Sequence, residues 1–304
     1  MPDDVVFEQD VQRDWPRLNE QYVRRGGGVV LDLSVLASWR NELEEMNRGK
    51  RGRPFEYPRS FISLVMFMRD VWRLTYRAAE GVLRVLGSLF GFEAPDYTTI
   101  WRREVEEEIG GLIVTQSAGH VLAADATGLS ITTRGEYLAH KYRVPRLFVK
   151  LHAAVDVETG MFVAATATSG RKGDAGRLPG LIEQASKRLD GRIVEVLADG
   201  AYDTRDNFDM LKRRGIVPVI RMRRNANMKR VGGTSARPLA VHERNLLGEA
   251  YWRYVKRYGR RWSVEGAFSA LKRTLGESLR SRRDDLMLKE ALRKVAAYNR
   301  LLLA

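Results

Sequence analysis

Val121-Leu122-Ala123-Ala124-Asp125-Ala126-Thr127 and Val194-Glu195-Val196-Leu197-Ala198-Asp199-Gly200-Ala201-Tyr202-Asp203 are the two stretches that decide the fold. In each, a short apolar run reads as a buried strand and leads to a carboxylate, Asp125 in one and Asp199 in the other. An acid so placed is costly to bury unless something cationic meets it. A third acid, Glu265, lies within a basic, helical stretch. Two strand-end aspartates and one helical glutamate could together hold a pair of hard divalent ions through oxygen ligands.

The residues around Glu265 sharpen this reading. Tyr258, Arg261, Glu265 and Lys272 follow the pattern Tyr-x2-Arg-x3-Glu-x6-Lys. At about 100° per residue they fall within a helical stripe roughly 60° wide. Val264, Phe268, Leu271 and Leu275 fall on an adjoining stripe, so one helix would carry a polar functional face beside an apolar docking face.

Working outward, the period is that of strands over residues 121–131, 147–157 and 161–169, with Glu158-Thr159-Gly160 as the turn between the last two. A helix is predicted over 174–189, a strand over 193–198, a helix over 203–214 and a strand over 216–220. Upstream, helices are predicted over 34–46, 60–72, 76–87 and 98–109, with Ser34 a candidate N-cap. Arg24-Arg25-Gly26-Gly27-Gly28 reads as a flexible break, and Asn47 to Pro58 as a basic linker. The last three of these helices fit a helix-turn-helix in which Tyr97, Thr98, Thr99, Trp101, Arg102 and Arg103 begin the reading helix. A helical scaffold or a dimer contact fits them equally well.

Composition narrows the function. The chain has 304 residues and a net charge of +14, which points to a polyanionic partner. From Arg221 to Arg261 there are 12 Lys or Arg residues against two acids. Tyr251, Trp252, Tyr254, Tyr258 and Trp262 interleave with the late part of that stretch. Phosphate contacts plus stacking rings suit DNA with unpaired bases. There are no cysteines, which removes disulfides and thiolate zinc sites and fits an intracellular protein. His120, His140, His152 and His242 show no metal-ligand spacing and are expected to be structural or solvent-exposed. No apolar run is long enough to span a membrane, and the acidic N-terminus has no signal core. Gly232-Gly233-Thr234-Ser235 lacks the frame of a nucleotide-binding loop and reads as a turn, so no nucleotide cofactor is expected.

Taken together, Asp-Ala-Thr at 125–127, Asp-x-x-Tyr-Asp at 199–203 and the Tyr-Arg-Glu-Lys pattern resemble the DDE transposases of bacterial and archaeal insertion sequences. The match covers roughly residues 120–280, and the stretch from Gly52-Arg53-Pro54 to Pro95-Asp96-Tyr97-Thr98-Thr99 looks like the helical N-terminal region of that group. The resemblance implies an α/β ribonuclease-H-like core, a mixed five-stranded sheet flanked by helices, in which the first and fourth strands bring Asp125 and Asp199 together. It suggests a helical region at 1–115 for DNA-end binding or dimerisation, and a catalytic domain at 116–304 with a basic insertion at about 221–257.

The implied activity is cutting of the element's ends and joining of their 3′-hydroxyls to target DNA. Asp125, Asp199 and Glu265 would be the catalytic metal ligands, with Asp125 shared between two Mg²⁺ ions roughly 3.5–4 Å apart and Mn²⁺ able to substitute. Arg261, Lys272 and Tyr258 would contact DNA near the scissile bond, and Arg223, Arg224, Lys229, Arg230 and Trp262 elsewhere. The other acids near strand ends, Asp156, Asp174 and Asp203, suit turn or helix capping. The implied partners are double-stranded DNA and a second copy in a synaptic homodimer, and the implied place of action is the prokaryotic cytoplasm, at the nucleoid. A metal-dependent nuclease without strand transfer and a retired, DNA-binding descendant are the competing readings.

Overall fold

Strand β1 (Gln116–Ile131) is the axis of one mixed sheet. On one side it pairs antiparallel with β2 (Phe148–Asp156), which pairs antiparallel with β3 (Phe162–Ser169). On the other it pairs in parallel with β4 (Asp190–Ala198), and β4 pairs in parallel with β5 (Val217–Ile220). The order β3-β2-β1-β4-β5, with this mixture of directions, is the expected ribonuclease-H-like arrangement. A sixth, two-residue strand, β6 (Ser278–Leu279), pairs with the far end of β1, so the sheet has six strands where five were expected. The structure, a computed structural model, describes residues 34–106, 116–131, 148–170, 172–228 and 234–303, with isolated positions between 14 and 23.

Period-two alternation assigns the two faces of β1. Leu122 and Ala124 point toward one layer, built from α5 (Leu178–Arg188), α6 (Arg205–Arg213), α7 (Ala236–Leu247) and α8 (Glu249–Val255). Ala123 and Leu129 point toward the other, built from α9 (Trp262–Leu275) and α10 (Asp284–Leu303). Asp125 shares the parity of Ala123 and therefore faces the layer that carries Glu265.

The N-terminal helices α1 (Ser34–Asn47), α2 (Arg59–Val71), α3 (Tyr76–Phe90) and α4 (Tyr97–Glu106) join this second layer. Phe61, Ile62, Val65 and Ile100 are buried in the same apolar core as Val264, Leu271 and Val295. A buried polar knot pins the two parts together. Arg293 of α10 donates to Asp70 of α2 at 2.7 and 3.2 Å and also to Glu104 of α4, which accepts from Tyr76 as well. Burial opposes the Arg293 charge, yet Asp70 and Glu104 hold its pKa above the ordinary value.

Boundaries shift where caps decide them. Thr75 accepts from the Ala78 amide, and Gly91 closes α3 in the left-handed region at φ 75°, so the helix runs to Phe90, past the expected Gly87. The helix expected from Asp174 begins as a 3₁₀ turn, Ala175–Arg177, before α5. The helix expected through Tyr258 is interrupted. Arg257 adopts φ 47°, Tyr258–Arg261 form a 3₁₀ turn, and α9 starts at Trp262. The stretch 221–257, expected as a basic insertion, contains α7 and α8, both of which pack on the domain. No helix among the described residues is long and apolar enough to cross a membrane.

Candidate active site

The β1–β4 pairing ends in register at Ala124 and Ala198, so the next residues, Asp125 and Asp199, leave two adjacent strands at one level. Asp125 remains in the sheet opposite Ala153 of β2, and the Ala126 amide donates to its carboxylate at 2.8 Å. Asp199 leaves the sheet and caps the 3₁₀ turn Gly200–Tyr202, accepting from the Ala201 amide at 2.9 Å. Glu265 is delivered from the opposite layer. Val264, Ala267, Phe268 and Leu271 bury one side of α9 against the sheet, while the Glu265 side chain is 48% exposed.

Arg261 links two of the three acids. Its guanidinium donates to Asp125 at 2.9 Å and, one helical turn on, to Glu265. Burial is the main force on Asp125 and pushes its pKa up. The Ala126 amide and Arg261 oppose that shift, and the neighbouring charges of Asp199 and Glu265 reinforce it. The three carboxylates therefore share one electrostatic environment, and Arg261 is its counter-cation. Their oxygens have the donor chemistry of a hard divalent-ion site. As arranged, with Arg261 between Asp125 and Glu265, no group of three His, Asp or Glu side chains among the described residues is placed to hold an ion.

The remaining predicted residues divide. Lys272 lies half-buried on α9, two turns beyond Glu265, and Trp262 at the start of α9 is 65% exposed. Tyr258, expected to face DNA, is buried instead, and its hydroxyl donates to the Ala198 carbonyl at 3.2 Å. The 3₁₀ turn takes it off the Glu265 stripe and into the core, where it braces the strand end before Asp199. Trp252 is likewise buried, whereas Tyr251 and Tyr254 stay exposed and stack on each other. Arg224 is exposed in a turn. Arg223 supports the Asp199 turn, donating to the carbonyls of Gly200 at 2.9 Å and Ala201 at 3.4 Å. Lys229, Arg230 and Gly232-Gly233 of the expected turn lie outside the described residues, as do Arg24–Gly28 and His140.

Three further acids do structural work. Asp203 accepts two bonds from Arg237 and one from the Arg223 amide, while the cap of α6 is Thr204. Asp174 meets Lys150 at 2.5 Å and His152 at 3.2 Å, where helix capping was expected. Asp156 does stabilise its turn, through the Glu158 and Thr159 amides, and also takes the His120 ring at 2.8 Å.

One residue near the site, Tyr202, had no role assigned to it from the sequence. Tyr202 is fully buried, its hydroxyl has no hydrogen-bond partner, and burial raises its pKa, with the charges of Asp174, Asp125 and Asp199 adding to the shift. Its place in Asp-x-x-Tyr-Asp is the signal that could have found it.

Comparison with known proteins adds a family. The model of a transposase DDE domain family matches residues 116–300, and that of a second transposase DDE domain family matches residues 23–134. A probable transposase of insertion sequence element ISA1214 from Archaeoglobus fulgidus is 26% identical over 276 residues, covering 81% of each chain. Among solved structures, the piggyBac transposase synaptic complex with hairpin DNA aligns over 93% of this chain and 74% of its own, at TM-score 0.39 and 10% identity. The Drosophila P element transposase strand transfer complex aligns over 67% of this chain and 43% of its own, at TM-score 0.31 and 13% identity. The fold assignment itself rests on the strand order.

Proposed function

Since the chain belongs to the transposase DDE domain family, we propose that it cuts the ends of an insertion sequence and joins the freed 3′-hydroxyls to target DNA, with Asp125, Asp199 and Glu265 as its catalytic carboxylates. The observation that carries this reading is the common level of Asp125 and Asp199 on adjacent strands, with Glu265 of α9 linked to Asp125 through Arg261. The family implies dependence on divalent metal. Bound by these three carboxylates, two Mg²⁺ ions would supply an activated hydroxyl and a stabilised leaving oxygen.

The chain's own residues set the rest of the chemistry. The β1 and β4 backbones hold Asp125 and Asp199 in place, with Tyr258 tying the end of β4 to the α9 entry. Arg261 neutralises Asp125 and Glu265 in the metal-free site, and if metal took over those carboxylates its guanidinium would be free to bind a DNA phosphate. Lys272, with no hydrogen bond or ion pair among the described residues, offers a second phosphate contact from the same helix. A homodimer pairing two DNA ends, with action at the prokaryotic nucleoid, completes the proposal.

The deciding experiment compares Asp125→Asn, Asp199→Asn and Glu265→Gln with the parent protein on DNA carrying the element's ends. Each variant should lose cleavage while retaining DNA binding, and chelator should abolish the parent's cleavage. Near-normal cutting by any of the three would refute the assignment. Cutting without joining would favour the nuclease reading.

A further inference from the structure

Away from the carboxylates, a cleft of about 560 Å³ opens between the starts of α3 and α4 and the segment linking β6 to α10. Its size falls within the range of small-ligand sites, about 300–1,000 Å³. Tyr76, Tyr97 and Trp101 line it together with Arg69, Ser281 and Arg282. Each ring is approached by a guanidinium. Arg69 lies 4.0 Å over Tyr76, Arg77 5.0 Å over Tyr97 and Arg283 5.9 Å over Trp101.

Two deeply buried polar groups in this cleft lack hydrogen-bond partners. Arg69 is 3% exposed, and its Nε and Nη1 make no hydrogen bond, although Nη1 lies 3.7 Å from both Asp70 and Glu104. Ser281 is 8% exposed, and its Oγ is unpaired. Buried donors left unmade are costly and rare, so two lining one cleft mark a place built for a polar, planar guest. Arg282 stands exposed at the rim.

We propose that this cleft takes an unpaired nucleobase of the bound DNA, stacked among the rings, with its edge toward Arg69 and Ser281 and its phosphate at Arg282. Aromatic walls with cations at the rim suit a base and its backbone. An acidic peptide would use the cations but leave the rings without a role. The cleft is also placed to meet the same DNA. Leu279 pairs with Ile131, six residues along β1 from Asp125, which is ~20 Å of strand and ~6 nucleotides of DNA. The inference rests on the DNA-joining reading above.

The test uses the full chain in chelator, so that nothing is cut. Binding is measured by fluorescence anisotropy on a duplex of arbitrary sequence, either blunt or with a short oligothymidine 3′ tail. The parent protein should prefer the tailed duplex about tenfold, the size of one base stacked on an aromatic ring. Trp101→Ala and Tyr97→Ala should reduce the preference to about twofold or less, and Trp101→Phe should restore it. Equal binding of both duplexes by the parent, or full preference in both alanine variants, would overturn the proposal. Metal-dependent cutting by a parent protein without tail preference would remove the cleft's role and leave the transposase reading intact. A tail preference without cutting would do the reverse.

Discussion

Arg261 donates to Asp125 across 2.9 Å, from the 3₁₀ turn that precedes α9 to the middle of β1. The same guanidinium also holds Glu265. A cation that neutralises two of three candidate metal ligands competes with the metal for them. Arg261→Ala should therefore bind Mn²⁺ more tightly in the absence of DNA, by about three- to tenfold, because a nearby positive charge has been removed. Joining of pre-cut ends should fall in the same variant. Mn²⁺ titration by calorimetry and a joining assay check the two halves. Unchanged affinity would show that Arg261 moves aside at no cost.

A second prediction separates support from phosphate contact in the basic segment. Much of that segment is already engaged. Arg221 pairs with Glu249, Arg237 with Asp203, Lys256 with Glu243 and Arg260 with Glu195. Neutralising Arg224, Lys229 and Arg230 together should flatten the slope of log affinity against log salt by about 2–3, near 0.9 per lost contact. Arg223→Ala should instead reduce cleavage more than binding, since Arg223 holds the turn that presents Asp199. Salt titrations beside a nicking assay would expose either assignment as wrong.

How far the sequence could be read follows from how local each signal is. The strand ends carrying Asp125 and Asp199 were legible because period-two apolarity and a terminal acid lie within a few residues. Glu265 was legible from helical spacing. Tyr258 was not, because its fate depends on the backbone turn at Arg257, which no periodicity announces. Nor was the depth of the N-terminal packing. Nothing in the local sequence marks Asp70, Glu104 and Arg293 as partners, because they meet only where α2, α4 and α10 pack together. β6 is two residues long and exists only because it meets the end of β1.

That packing gives the third prediction. Removing Arg293 would leave the buried acids Asp70 and Glu104 without their main partner, and breaking a buried pair in this way costs about 3–5 kcal/mol. Arg293→Met should lower stability by that order in denaturant unfolding. A fragment of residues 1–115 would also expose the apolar side of α2 that the rest of the chain covers. It should unfold without a cooperative transition, which circular dichroism would show. A well-folded fragment that binds element ends would demonstrate an independent recognition domain and contradict this.

The last prediction concerns Lys294. It is 3% exposed, and its ammonium donates to the carbonyls of Gly276 at 2.7 Å and Ser278 at 2.8 Å, closing the turn between α9 and β6. Burial lowers its pKa from 10.5 to about 8, against the pull of Glu290 and Asp70. Between those values the unfolded chain carries the proton and the folded chain does not. The unfolded state thus binds more protons, and the Lys294 contribution to stability must rise with pH across that window. Below about pH 8 both states are protonated and the contribution is flat. Subtracting the unfolding free energy of Lys294→Met from that of the parent cancels the other titrating groups. The difference should grow by about 2 kcal/mol in the parent's favour between pH 7.5 and 9.5, at ~1.4 kcal/mol per unit over the titrating range. A difference that stays constant would mean that Lys294 remains charged in the folded protein, held by its two carbonyls and by Glu290.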